Sequence, residues 1–213
     1  MLMSGNSDFS AVIPRFEFRT FGQHLDKEAK RMARLSVPVP ENLWERHSDE
    51  VYLVSSHNDS CNAKIRNGKI DIKTLLLKVD GLEQWSPFML MDFPISVEKL
   101  KNDLFRAFQV AFDFQTTSIE TQEEFIELMQ SLRDIQVVTI HKQRFAYQVN
   151  GTICETGTII INGARVETIS VESGDIAAVK KTMREIGLED YENINYVQMI
   201  KRVTGWIHQP LAN

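Results

Sequence analysis

Charged and apolar residues alternate at period two along several stretches of this chain, and that alternation predicts β-strands. Arg15-Phe16-Glu17-Phe18-Arg19 puts its charges on one side and its aromatics on the other, because successive side chains of a strand point to opposite faces. Asn62-Ala63-Lys64-Ile65-Arg66 and Lys69-Ile70-Asp71-Ile72-Lys73 repeat the habit. They are joined by Asn67-Gly68, a pair suited to the positive φ angles of a two-residue hairpin turn. Each segment has an apolar face that needs a core. Each also has an ionic, mostly cationic face that needs water, counter-ions or a charged ligand.

Extended runs are expected over residues 12–20, 51–55, 61–66, 69–78, 137–149 (with a break near Gln143), 152–161 and 164–172. Residues 82–91 are ambiguous, although Trp85, Pro87 and Phe88 suggest an extended path. Asn150-Gly151 and Asn162-Gly163 mark two further hairpins. Helical spacing of apolar residues predicts a helix over 23–35, ended by Val37-Pro38-Val39-Pro40. Ser96 is an N-cap for a helix over 99–109, and Thr121 with Glu124 forms a capping-box pattern for one to about Arg133. Residues 175–186 form a helix stopped by Gly187, and Asn193 or Asn195 opens the last, to about Val203. Hairpins make the sheet antiparallel, and no βαβ rhythm is visible. The chain therefore reads as α+β: an antiparallel β-barrel, or tunnel, with a charged lumen and flanking helices. Residues 12–205 read as one domain, with a flexible start over 1–11 and a tail over 206–213.

The lumen is where the function is sought. In the 137–149 run, Val138, Ile140, Lys142 and Arg144 share a face, so Lys142 and Arg144 repeat the cationic stripe of Lys64 and Arg66. Glu155 shares a face with Ile153 and Ile159. Two registers are open for 164–172. One aims Thr168, Ser170 and Glu172 inward, the other Arg165 and Glu167; the first is preferred because it buries Ile169 and Val171. The inward set then holds Arg15, Arg19, Lys64, Arg66, Lys69, Lys73, Lys142 and Arg144 against Glu17, Asp71, Glu155 and Glu172. For one strand, a solvated outer face explains such alternation more simply. Four strands with the same cationic bias favour a shared interior. Like charges repel strongly where water is scarce, and a polyanion relieves that repulsion, with arginine gripping phosphate oxygens in forked pairs.

Composition sharpens this. The chain is acidic as a whole, with net charge −5, which argues against general DNA or anionic-membrane binding and makes local cationic clustering informative. Cys61 and Cys154 form no C-x-x-C pair, so two thiols in a reducing compartment are expected. No signal-peptide pattern and no apolar run long enough to cross a bilayer is visible, and a cytoplasmic location is the expectation. Walker, G-x-G-x-x-G and G-x-S-x-G motifs are absent, and the five histidines show no metal-ligand spacing.

These runs resemble the CYTH superfamily, the triphosphate tunnel metalloenzymes, over about 15–203. That family opens with an E-x-E-x-K strand, to which Arg15-Phe16-Glu17-Phe18-Arg19 is similar. Lys64 to Lys73 resembles its basic pair, turn and Lys-ended strand; Lys142-Gln143-Arg144 resembles its K-x-R strand; Glu155 and the strand after Val166 resemble its later acidic positions. Tyr196 stands where members often carry a tyrosine in the last helix. The resemblance implies an antiparallel tunnel and activities that include adenylate cyclase and several triphosphatases. It implies a triphosphate-containing small molecule or polyphosphate as partner. It assigns Arg19 and Glu17 to catalysis, Arg15, Lys64, Arg66, Lys73, Lys142 and Arg144 to the phosphates, and Glu17, Glu155 and Glu172 to Mg²⁺ or Mn²⁺. The chain departs at Arg15 for Glu, Arg19 for Lys, and Thr168 and Ser170 for glutamates. Two functions stay open: a metal-dependent triphosphatase, or an anion-binding module without chemistry. A vestigial tunnel with a structural role ranks behind both.

Overall fold

The computed structural model describes residues 14–211. The flexible start expected over residues 1–11, and the first residues of the opening strand, lie outside them. Ten strands occur among the described residues: β1 (Arg15–Gly22), β2 (Glu45–Ser55), β3 (Cys61–Arg66), β4 (Lys69–Val79), β5 (Leu82–Met91), β6 (Ile95–Ser96), β7 (Ser118–Ile119), β8 (Ile135–Val149), β9 (Thr152–Ile161) and β10 (Ala164–Ser173). Eight close into a barrel in the order β1-β10-β9-β8-β2-β3-β4-β5, and β6 pairs with β7 apart from it. Every pairing in the barrel is antiparallel, and β5 returns to β1 through Arg15↔Trp85 and Glu17↔Glu83. The helices are α1 (Asp26–Leu35), α2 (Glu41–Trp44), α3 (Val97–Lys99) running through a π-helical turn (Leu100–Phe105) into α4 (Arg106–Phe108), then α5 (Gln122–Ser131), α6 (Ile176–Ile186) and α7 (Tyr196–Val203). None is long and apolar enough to cross a membrane.

The β3–β4 hairpin turns at Asn67 and Gly68 with φ of 52° and 73°, the left-handed angles that a tight turn requires. β2 starts at Glu45 rather than near Val51 because its first half, Glu45 to Glu50, has no apolar face for a sequence pattern to reveal. It is held by pairing with β8 from Glu45↔Phe145 to Ser55↔Ile135. That same ladder, with β9 on the other side, carries β8 through Gln143 without the expected break. Residues 82–91 are a strand, entered through a turn at Asp80 and Gly81 with φ of 53° and 81°. Thr121 caps α5 by accepting from the Glu124 N–H, but the Glu124 carboxylate accepts from the Glu120 N–H, one residue short of a capping box.

Two apolar layers cover the outside of the barrel. The outward faces of β2, β3 and β4, with Leu53, Ala63, Ile65, Ile70 and Ile72, pack on Leu104, Phe105, Phe108, Phe125 and Met129. Phe18, Cys154, Ile169 and Val171 pack on Leu25, Met32, Val179 and Ile186 of the α1 and α6 region. So Thr168, Ser170 and Glu172 face inward, as in the preferred register. The inward face is itself divided. Phe21, Tyr52, Val54, Val138, Ile140, Ile159, Ile161 and Val166 join Val197, Met199 and Ile200 of α7 in one buried cluster. α7 thus plugs one half of the interior with apolar side chains, each contributing about 1.5–3 kcal/mol on burial. The ionic residues of the same strands line the other half.

Candidate functional site

Following each inward face away from the plug shows how the site is built. On β1, Phe21 gives way to Arg19, Glu17 and Arg15; on β8, Ile140 gives way to Lys142 and Arg144; on β9, Ile159 gives way to Glu155. A cavity of about 310 Å³ is lined by Arg15, Arg19, Arg46, Lys64, Arg66, Lys73, Lys142 and Arg144, with Glu17, Glu83, Glu155 and Glu172 among them. Eight cations on five strands thus face one space. Every sequence-predicted phosphate-binding residue lies there, and so do the three carboxylates assigned to metal. Lys69 does not: it sits at the hairpin end and pairs with Asp92 at 2.8 Å outside the cavity.

Sequence reasoning missed the lining residues Arg46, Tyr52 and Glu83, and also Glu50, which lies buried behind the lining and pairs with its cations. Arg46, Glu50 and Tyr52 belong to the long β2, and Glu83 to β5. Glu45 to Glu50 is wholly polar and carries no alternation of its own, so Arg46, Ser48 and Glu50 could be placed on the face of Tyr52 only by carrying the period of the later strand back through them. The floor is aromatic. Asn195 caps α7 with a full capping box through Gln198, and its amide also donates to the Glu83 carboxylate at 3.2 Å. Asn193 accepts from the Arg19 N–H at 2.9 Å and donates to the Gly81 carbonyl at 2.8 Å. Between them these asparagines fix Tyr196, whose ring lies 5.5 Å from Tyr52, stacked, with the Lys142 ammonium 3.9 Å above it.

Two ion-pair groups share the cavity. Around Glu50 stand Lys142 at 2.7 Å, Lys64 at 3.3 Å and Arg66 at 3.7 Å. Burial would raise the Glu50 carboxyl, but Lys142, Lys64 and Arg66 outweigh it and hold it at about 2. Burial, with Lys64 next to it, pushes the Lys142 ammonium well below its ordinary value, and Glu50 opposes this. The second group centres on Arg19, whose Nε donates to Glu17 at 2.5 Å and whose Nη1 donates to Glu155 at 3.5 Å. Its Nη2 lies 3.9 Å from Glu172. Burial disfavours the Arg19 charge, but Glu17 and its neighbours raise this guanidinium further above its ordinary value. Gly157 leaves room for Arg144, since a Cβ there would lie 2.9 Å from the Gln143 carbonyl oxygen and 3.2 Å from Arg144 Cγ.

Three polar atoms in the lining are buried without a hydrogen-bond partner: Arg144 Nε, the Tyr196 hydroxyl and Asn62 Oδ1. Two of these are donors, which suits an acceptor-rich ligand. A divalent metal fits less well. Mg²⁺ demands oxygen ligands in near-octahedral array at about 2.0–2.1 Å. Among the described residues, no three His, Cys, Asp or Glu side chains gather closely enough to hold one. Glu17, Glu155 and Glu172 do converge, but on the Arg19 guanidinium.

Glu172 is the pH-sensitive member. Burial and the charge of Glu17 raise its carboxyl to about 7, with Arg19 and Lys73 pulling the other way. Between about pH 4.5 and 7 the folded chain holds a proton that the unfolded chain releases. Its contribution to stability therefore falls as pH rises through that window. Melting temperatures at about pH 5.5 and 8 should show this as a decline that Glu172→Gln flattens; equal declines in both proteins would show that Glu172 titrates normally.

No protein-family model matches the chain, and no curated protein does. Solved structures do. A candidate adenylate cyclase from Bacillus halodurans is 10% identical over 86% of this chain and 95% of its own, with a TM-score of 0.48. The Hippeastrum protein HpAC1, a candidate adenylyl cyclase described as having a dominant triphosphatase activity, is 10% identical over 90% of this chain and 96% of its own, at 0.47. A conserved hypothetical protein from Pyrococcus furiosus is 16% identical over 86% and 98%, at 0.46.

Proposed function

We propose that this chain is a CYTH-type tunnel protein that binds a polyphosphate chain, as tripolyphosphate or the triphosphate of a small molecule, in its cationic lumen. One observation carries the reading. Eight lysines and arginines from five strands face a single cavity inside a protein whose net charge is −5. Cations held that close raise one another's cost, and a polyanion lowers it. Arginine supplies forked contacts to phosphate oxygens, and lysine a compact charge. The unpartnered Arg144 Nε and Tyr196 hydroxyl add donors aimed at the same kind of ligand.

The hydrolytic alternative needs a metal to organise attack on the phosphoryl group. Since the three carboxylates are engaged by Arg19, binding without hydrolysis is the better-supported function, and no step is assigned to a metal. Calorimetry with inorganic tripolyphosphate should give saturable binding at one site per chain. Phosphate release from tripolyphosphate, ATP and thiamine triphosphate should stay at background with Mg²⁺ or Mn²⁺. Absence of tripolyphosphate binding under every condition would remove the binding function, and steady turnover would reinstate the triphosphatase.

A further inference from the structure

Arg19 is oriented for its neighbours rather than for a ligand. Each of its three side-chain nitrogens faces a different carboxylate: Nε faces Glu17, Nη1 faces Glu155 and Nη2 faces Glu172. Nη1 also donates to the Thr168 hydroxyl at 3.4 Å, and the Tyr196 ring lies 5.0 Å from Cζ. The side chain is only 8% exposed. A planar fork of five donors can span three acids that a small sphere could join only by drawing them together. The carboxylates are guarded from behind as well. Glu155 Oε2 accepts from Arg46 at 2.7 Å with Arg144 at 3.8 Å, and Arg15 lies 3.9 Å from Glu172. A metal ion entering here would meet like charge on several sides and would have to displace the guanidinium first.

We infer that Arg19 takes the place of a divalent cation among Glu17, Glu155 and Glu172, so that the lumen accepts free polyphosphate rather than its metal complex. The second half rests on the polyphosphate reading above; the first does not. In enzymes that hold a triphosphate through a metal, the ion neutralises phosphate charge and its carboxylates at once. Here the acids are neutralised from within, and the remaining basic groups take the phosphates directly. Magnesium, which complexes tripolyphosphate in solution, then competes with the protein for it.

Two measurements separate the halves. The first uses no phosphate: Mn²⁺ is titrated into the ligand-free protein and followed by electron paramagnetic resonance. Wild type should hold no manganese in the lumen, and Arg19→Ala should gain one ion per chain. If that variant does not fold, Arg19→Gln, neutral and of similar reach, replaces it. Wild-type manganese binding that Glu155→Gln abolishes would overturn the inference, as would a folded Arg19 variant that takes none. The second measurement compares tripolyphosphate affinity in EDTA and in excess Mg²⁺. At least tenfold weaker binding with Mg²⁺ is expected; tighter binding with Mg²⁺ overturns the inference. No binding in either buffer would remove the polyphosphate reading and leave the manganese result to decide the role of Arg19.

Discussion

Glu50→Gln should lower the melting temperature by roughly 6–20 °C, the largest stability effect expected of a single neutralisation in the lumen. The Glu50 side chain is 0% exposed and the Lys142 side chain 2%. Removing one charge of such a pair leaves the other buried without compensation, at a cost of about 3–5 kcal/mol, and each kcal/mol moves the midpoint by about 2–4 °C in a chain of this size. The loss exceeds that of an ordinary pair because Lys64 and Arg66 also rely on the same carboxylate. Adding Lys142→Met should recover at least half, since it removes the stranded ammonium and leaves an apolar side chain over the Tyr52 and Tyr196 rings. The pH dependence has a definite sign. Glu50 is held at about 2, so its contribution is complete above the unfolded value and fades as pH falls toward 2. Thermal melts of the single and double variants check all of this. A single variant melting within about 2 °C of wild type would mean that the pair does not support the fold.

The barrel was legible where local chemistry and tertiary demand agree. Asn67-Gly68, Asn150-Gly151 and Asn162-Gly163 each join neighbouring barrel strands, because the turn requires those residues whatever the strands do next. Ile169 and Val171 could be turned outward from burial preference alone, which placed Glu172 inside. What stayed hidden was polar sequence made into strand by its neighbours. Nothing within Glu45 to Glu50 asks to be extended; β8 imposes it by backbone pairing, and that imposition brings Glu50 beneath Lys142 and Lys64. The site was legible in part for the same reason. Period two identifies which residues share a face, so Arg15, Lys64 and Lys142 could be grouped before their strands were seen together. It is silent on partners. Whether Glu17, Glu155 and Glu172 gather on a metal or on Arg19 depends on where β1 and the β9–β10 hairpin, far apart in sequence, set their side chains. Lys69 shows the converse limit: correct in phase with Lys73, it lies at the turn and reaches Asp92 instead.

Those partnerships decide which cation can test binding. Reversing Lys64 would remove phosphate attraction, but it would also break the Glu50 group, so lost binding and lost fold would arrive together. Lys73 avoids this: it lines the cavity, is exposed, and has no ion-pair partner among the described residues. Lys73→Glu should therefore weaken tripolyphosphate binding about 100-fold, about 2.7 kcal/mol, a size that follows from replacing one charge-assisted contact of about 1.5–3 kcal/mol with repulsion. Lys73→Gln, which loses the attraction without adding the repulsion, should fall about tenfold. Both should melt within about 2 °C of wild type, because neither breaks a buried pair. Calorimetry at fixed ionic strength, paired with thermal melts, reads the two effects separately. A folded Lys73→Glu protein that binds tripolyphosphate as tightly as wild type would place the phosphates elsewhere than this lumen, because a negative charge in so small a cavity cannot be neutral toward a polyanion sharing it.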